Sequence, residues 1–400
     1  MTAPLKGMVG SSSRDARAAK ARAGRKPFGL TGLLLRIGLM VLWATTFSGA
    51  VAGQVTVSVQ PDPVFIEIRG TEQRVNFDLL LHNAGPHALR INKIQVSVYD
   101  SLGALAYRRY LDENGRPSGI ATLPNRIVPA SGWLDVFNPF YAFAGEMPLA
   151  RLQYEVFLES PDEPEPNLLN FTSKAQVEFT PQPYAGKTDL KLPLQGRLYV
   201  FDGHDFYAHH RRQNVVHGPR LTRNSVRFAY DFMITNGLGE LYHGDRFEKR
   251  NWYSYGAPIF APAAGVVADV QDGIQENSYH AQRMAYPVLP EGLDPGGMGN
   301  HVVIDHLNGE FSFLLHLCTG SVTVTKGEHV ERGQRLGAIG LSGDTFVPHL
   351  HYTVLDGPAY TGNGLPSYFS RFGRVLGTKS VWIQRGQVDS GDLLENSFDE

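Results

Sequence analysis

The run Pro348-His349-Leu350-His351-Tyr352-Thr353-Val354 is where this sequence first offers chemistry. In a β-strand, residues two apart project from one face, so His349 and His351 would present two imidazoles side by side. One imidazole of such a pair can bind a metal ion while the other moves protons. A single H-x-H does not define a site, and the wider histidine map adds to it. Twelve of the 14 histidines lie between His204 and His351, and only His82 and His87 precede them. The single cysteine, Cys318, excludes an intrachain disulfide framework, a Cys-rich zinc finger, an iron–sulfur cluster and a C-x-x-C redox pair. There is no H-E-x-x-H helix, G-x-S-x-G elbow or Walker loop.

The elements that must position these histidines read as β throughout. Short alternating segments at 55–60, 64–69, 74–82, 89–99, 133–137 and 152–159 are broken by turn residues such as Asn83-Ala84-Gly85 and Glu113-Asn114-Gly115. This spacing predicts an immunoglobulin-like β-sandwich over 53–180, with no cluster of titratable residues, hence a spacer or binding module. Proline-rich breaks at 161–166 and 180–183 predict a linker over 181–194. Beyond it, the runs 301–306 and 311–317 flank Asn308-Gly309, a strong hairpin signal, in a second β domain over 195–360. Residues 271–299 read as a long surface loop, and the tail 361–400 as one strand, 380–384, packed on that domain. The expected class is all-β: a sandwich followed by a compact antiparallel β domain.

The formal net charge of −2 conceals an asymmetry. Of the 37 basic and 39 acidic residues, eight basic residues and Asp15 fall in the first 52, leaving 29 against 38 and a net of −9 beyond. A basic leader, an apolar run from Ile37 and the triplet Ala50-Val51-Ala52 predict a signal peptide over 1–52, cleaved after Ala52. The expected location is the periplasm or cell envelope, or outside the cell. An uncleaved leader would be the one route to a membrane anchor, and nothing in the charge points to nucleic acid.

Six ordered blocks then carry a resemblance. They are Arg227-Phe228-Ala229-Tyr230-Asp231, 256–267 (GAPIFAPAAGVV), 299–306 (GNHVVIDH), Leu315-His316-Leu317, 330–337 (VERGQRLG), and Ser342-Gly343 ahead of Pro348-His349-Leu350-His351. Together they resemble the lysostaphin-type zinc metallopeptidases, a family of peptidoglycan endopeptidases. The resemblance implies one zinc per chain, held by Asp231, His351 and a further histidine, with a position left for water. It implies that His349 and His316 serve as base and acid, and that the substrate is a peptide bond in peptidoglycan stems or cross-bridges.

The sequence departs from the family at the first ligand. The usual motif is H-x-x-x-D, and four residues before Asp231 stands Arg227, which cannot ligate. His210, within His210-Arg211-Arg212, is the expected replacement, with His209 and His217 as alternatives. His301 and His306 are expected as strand residues, His204, His243, His280 and His329 as solvent-facing, and Cys318 as a buried inert thiol on the same strand face as His316. Two other functions stay open: a non-catalytic wall-binding or regulatory module on the same fold, and a non-haem iron oxygenase, since two histidines and a carboxylate also form that metal's triad.

Overall fold

The structure, a computed structural model, describes residues 54–162, 171, 173–213, 224–291 and 297–398. The signal peptide expected over 1–52 lies outside the described residues. Among the described residues the named elements are strands and three single-turn 3₁₀ helices, so the chain is all-β. None of the described helices is long and apolar enough to cross a membrane.

In the N-terminal half a three-stranded sheet orders Val55–Gln60, Asp78–Asn83 and Gly132–Phe137. A five-stranded sheet is built on Leu89–Tyr99, which pairs with Arg151–Glu159 on one side and Leu105–Asp112 on the other. The two share one core, in which Leu79 and Leu81 meet Ile94, Val96, Val98, Tyr154 and Val156. Period-two burial along Leu89–Tyr99 explains why its bounds were legible. The single strand expected over 74–82 is instead two. Glu72–Val75 belongs to a separate four-stranded sheet, and the chain then turns at Asn76-Phe77 into Asp78–Asn83. Buried Phe77 plugs the core at that corner.

The C-terminal half is organised by an eleven-stranded sheet. Its central order is Asn300–Asp305, Phe311–Leu317, Leu350–Leu355, Tyr230–Ile234, Gly196–Asp202. Its core gathers Leu198, Val200, Phe232, Val302, Leu314 and Tyr352. Residues 181–194, expected as a linker, carry Leu190, Leu192 and Leu194 into that core. The tail holds more than the one strand expected at 380–384. Leu393–Asn396 pairs with Gly196–Asp202, and Phe369–Leu376 with Lys379–Gly386, which extends the sheet. Buried Phe369 and Phe372 hold it there. Nor is 271–299 a plain loop, because Ser278–His280 and Arg283–Ala285 form a hairpin and Ile274 and Asn277 are buried.

Candidate metal centre

Strand register brings the site together. Asp231 pairs directly with His351, which also lies opposite Leu315, while Asp202 pairs with Asp231. Directly opposed residues in an antiparallel pair have Cβ atoms about 4.5–5.5 Å apart, so pairing alone sets the carboxylate of Asp231 against the His351 ring. Two irregularities refine this. The register shifts between Val200 and Asp202, so that Asp202, not Phe201, comes opposite Asp231. A second shift between Asn300 and His301 leaves His316 out of the ladder, with φ at 70°. Bulges of this kind re-aim side chains, and a left-handed non-glycine residue persists only where its surroundings hold it. Here the His316 N–H donates to the Met298 carbonyl at 3.3 Å and the His316 carbonyl accepts from Gly340 N–H at 2.9 Å. Behind it Gly343, at φ 83°, lies so close to Gly297 and Gly299 that a Cβ would strike their backbone.

The focus is one oxygen. Asp231 Oδ1 lies 3.0 Å from His351 Nδ1, 3.2 Å from His349 Nε2 and 3.5 Å from His210 Nε2. The His210 and His351 ring centroids are 4.9 Å apart, and the His316 ring is 5.1 Å from His349 and 5.7 Å from His351. All five residues are buried, at the base of a cleft of about 510 Å³ that Asn224, Asp344, Phe346 and Tyr360 help to line. Acceptors hold the outward nitrogens of three of the rings. His210 Nδ1 faces the Gly203 carbonyl at 3.2 Å, His316 Nδ1 the Ser342 carbonyl at 2.9 Å, and His349 Nδ1 the Val347 carbonyl at 2.8 Å. A carbonyl can only accept, so each Nδ1 carries a hydrogen, and in the neutral ring Nε2 is left as the acceptor.

Two sets of residues could share a metal ion, with ligand atoms within 4.8 Å of one another: His210, Asp231 and His351, or His316, His349 and His351. The donor chemistry favours the first. A buried carboxylate is costly unless it is paired or coordinates a cation, and the all-histidine set would leave Asp231 without that role. Two imidazoles and a carboxylate match a zinc site with an open position, and leave His316 and His349 beside it.

Burial pushes His210 down to about 4 despite the Asp231 charge, and holds His316 well below the usual histidine range. Both are therefore neutral near pH 7. For His349 burial is outweighed by Asp231, which raises it. Asp231 stays well below the carboxylate range, because the attraction of His349 and His210 overcomes its burial. The sequence reading missed Asp202, which burial pushes up to about 6 even though it accepts the backbone N–H groups of His209 and His210 at 3.0 and 3.1 Å. An acid ending an alternating strand just before two histidines was the available signal. It also missed Tyr360, whose hydroxyl lies 3.5 Å from His351 Nε2.

Of the alternatives for the first ligand, His209 is exposed beside Gln213, and His217 lies outside the described residues. His243, His280 and His329 are exposed as expected. His204 is not; it is buried, with Nε2 2.8 Å from Glu67 Oε2 of the N-terminal half. His301 and His306 are buried on carbonyl and side-chain partners outside the site. Cys318 falls one residue beyond the end of its strand and is half-buried where a buried thiol was expected. Its thiol donates to the Ile339 carbonyl and is pushed up to about 12 by burial, so it stays protonated.

Residues 252–362 match Peptidase family M23. Over 57 residues the chain is 46% identical to the peptidoglycan DD-endopeptidase ShyA of Vibrio cholerae serotype O1, a stretch that is 14% of this chain and 13% of that protein. The chain thus spans 13% of the length of this curated relative. Among solved structures, the catalytic domain of lysostaphin from Staphylococcus simulans is 14% identical, covering 43% of this chain and 88% of that one at a TM-score of 0.24. A zinc containing peptidase from Vibrio cholerae is 14% identical, covering 73% and 82% at a TM-score of 0.23. At that distance the structural likeness speaks for no individual residue. The family match includes His316, His349 and His351 but begins after His210 and Asp231, which folding brings to the same cleft. Over residues 252–362 the chain is therefore similar to the M23 peptidases, as the six ordered blocks of its sequence led one to expect.

Proposed function

We propose that this protein is a zinc-dependent endopeptidase that hydrolyses peptide bonds in peptidoglycan stems or cross-bridges, acting in the periplasm or cell envelope after export. The observation that carries this reading is the convergence of His210, Asp231 and His351 beside two further histidines, His316 and His349, whose Nδ1 atoms face backbone carbonyls. His210 Nε2, Asp231 Oδ1 and His351 Nδ1 would hold the ion. When bound, zinc lowers the pKa of a water molecule and polarises the scissile carbonyl. His349 and His316 would handle the protons: a neutral Nε2 accepts one from the attacking water, and the imidazolium so formed gives it to the departing amine. Their outward hydrogen bonds keep both rings in the tautomer this needs. The walls of the cleft pair polar groups, Asn224 and Asp344, with aromatic surface from Phe346 and Tyr360.

The test is chemical. Isolated peptidoglycan is incubated with the purified protein, and newly freed amino groups are counted with and without a chelator. Release that the chelator abolishes supports the peptidase. No release from protein carrying a full equivalent of zinc would favour a wall-binding regulator instead.

A further inference from the structure

Arg211 directly follows His210 and Arg227 lies four residues before Asp231, and both arginines reach residues of the N-terminal half. Asp231 and His351 are locked by direct strand pairing. His210 is not; it lies on the one-turn 3₁₀ helix His210–Arg212, outside the sheet. On one side Asp202 grips this turn through the N–H groups of His209 and His210. On the other side Arg211, 2% exposed, reaches into the N-terminal half. Its Nη2 donates to the Asn138 carbonyl at 3.2 Å, and its guanidinium lies 5.6 and 5.4 Å from the ring centroids of Phe137 and Tyr141, with Phe206 at 4.9 Å. Tyr141 stacks on Phe206 at 4.4 Å, which closes the socket.

Arg227 makes the matching contact from the turn that precedes the strand of Asp231. It is 1% exposed, and its Nη2 lies 2.5 Å from Asp78 Oδ2 and its Nη1 3.3 Å from Asn76 Oδ1. Asn76 in turn donates to the carbonyls of His204 and Arg227 at 3.3 and 3.4 Å. Asp78 and Phe137 are directly paired residues of the three-stranded sheet. Both arginines therefore grip one patch of that sheet. Arginine is almost never fully buried unless paired, and removing one partner of such a pair is costly, so these contacts fix geometry. Arg227 occupies the position where the family's usual motif has a ligand.

We infer that the N-terminal sheet is a working part of the metal centre, with Arg211 and Arg227 as positioning residues that set His210 against Asp231 and His351. The inference rests on reading those three residues as the zinc ligands. Ligating nitrogens and oxygens must lie about 2.0–2.2 Å from the ion, so a turn held at one end only would leave His210 free to drift out of reach. The side chain that keeps it in place belongs to the next residue, and its seat is in the N-terminal half.

The experiment uses the full chain and three variants: Arg211→Met, which keeps the stem but loses the guanidinium, Arg227→Met, and the isosteric Asp78→Asn, which touches no ligand. Zinc affinity is read by competition with a chromophoric chelator, ligand geometry by the visible absorption of the cobalt-loaded protein, and integrity by thermal melting of metal-free protein. Supporting partners of metal ligands are worth about 10–100-fold in metal affinity. Arg211→Met is expected to weaken zinc by that factor and alter the cobalt bands while the metal-free melting temperature moves little. If either methionine variant fails to fold, Asp78→Asn carries the test with the same readouts. Wild-type protein that binds one zinc, with variants of unchanged affinity and unchanged cobalt spectrum, would overturn the positioning role. Wild-type protein that binds no zinc overturns the ligand reading itself, and the inference with it.

Discussion

Asp135 offers a test of how the N-terminal sheet receives Arg227. It lies in the strand Gly132–Phe137, opposite Leu80 in the register that sets Asp78 opposite Phe137. It is 9% exposed, and neither carboxyl oxygen has a hydrogen-bond partner among the described residues. Burial pushes its pKa from an ordinary 3.8 up to about 8, Asp78 adds to the rise, and Arg227 works against it. Because the folded value is raised, the folded state binds more protons than the unfolded one between these limits. Stability due to this group is therefore greatest below about pH 4 and is lost as pH rises to about 8. The slope is at most about 1.4 kcal/mol per pH unit, a ceiling on the order of 5 kcal/mol across the window. Sharing of charge with the Asp78–Arg227 pair and residual hydration bring the working figure to about 2 kcal/mol. Asp135→Asn keeps the shape and removes the charge. Urea unfolding of metal-free wild type and variant at pH 5, 6.5 and 8 reads the difference, and the comparison cancels the titration of the site histidines. With an m-value of roughly 3 kcal/mol/M, the variant should gain about 0.7 M in midpoint at pH 8 relative to its position at pH 5. Two curves separated by a constant offset at every pH would refute the reasoning.

Other outcomes follow from the site. His349→Ala and His316→Ala should each retain zinc and lose about 10²–10⁴-fold in turnover on peptidoglycan, the usual worth of a positioned acid or base. Loss of zinc from both would move them into the ligand set. Gly343→Ala forces a side chain against the backbone of Gly297 and Gly299 at a positive φ. It should cost about 1–3 kcal/mol, read as a lower melting temperature. Turnover should fall as well, because the adjacent Ser342 carbonyl holds His316 Nδ1. An unchanged melting temperature would remove the close packing from the account.

What the sequence revealed follows the range of the forces involved. His349 and His351 were legible because strand period and a two-residue spacing are local. His210 was singled out by resemblance to a form of the family pattern with an upstream histidine in a His-Arg-Arg context. The bounds of Leu89–Tyr99 came from simple alternation. Long-range partners left no such trace. Asp78 is 149 residues from Arg227, and neither residue type alone announces a buried pair. His204 looked like a surface histidine because its partner, Glu67, is 137 residues away. The left-handed backbone of His316 is imposed by packing against Met298 and Gly340, and nothing in the Leu315-His316-Leu317 triplet encodes it. The tail strands were missed for a related reason: Phe369 and Phe372 are buried against a core assembled far upstream.

The central claim is that one ion joins His210, Asp231 and His351. Its most direct test is the metal content of purified full-length protein and of the Asp231→Ala and His351→Ala variants, measured by plasma mass spectrometry after dialysis against metal-free buffer. The account predicts one zinc per wild-type chain and none in either variant. Full zinc retention in both variants would contradict it.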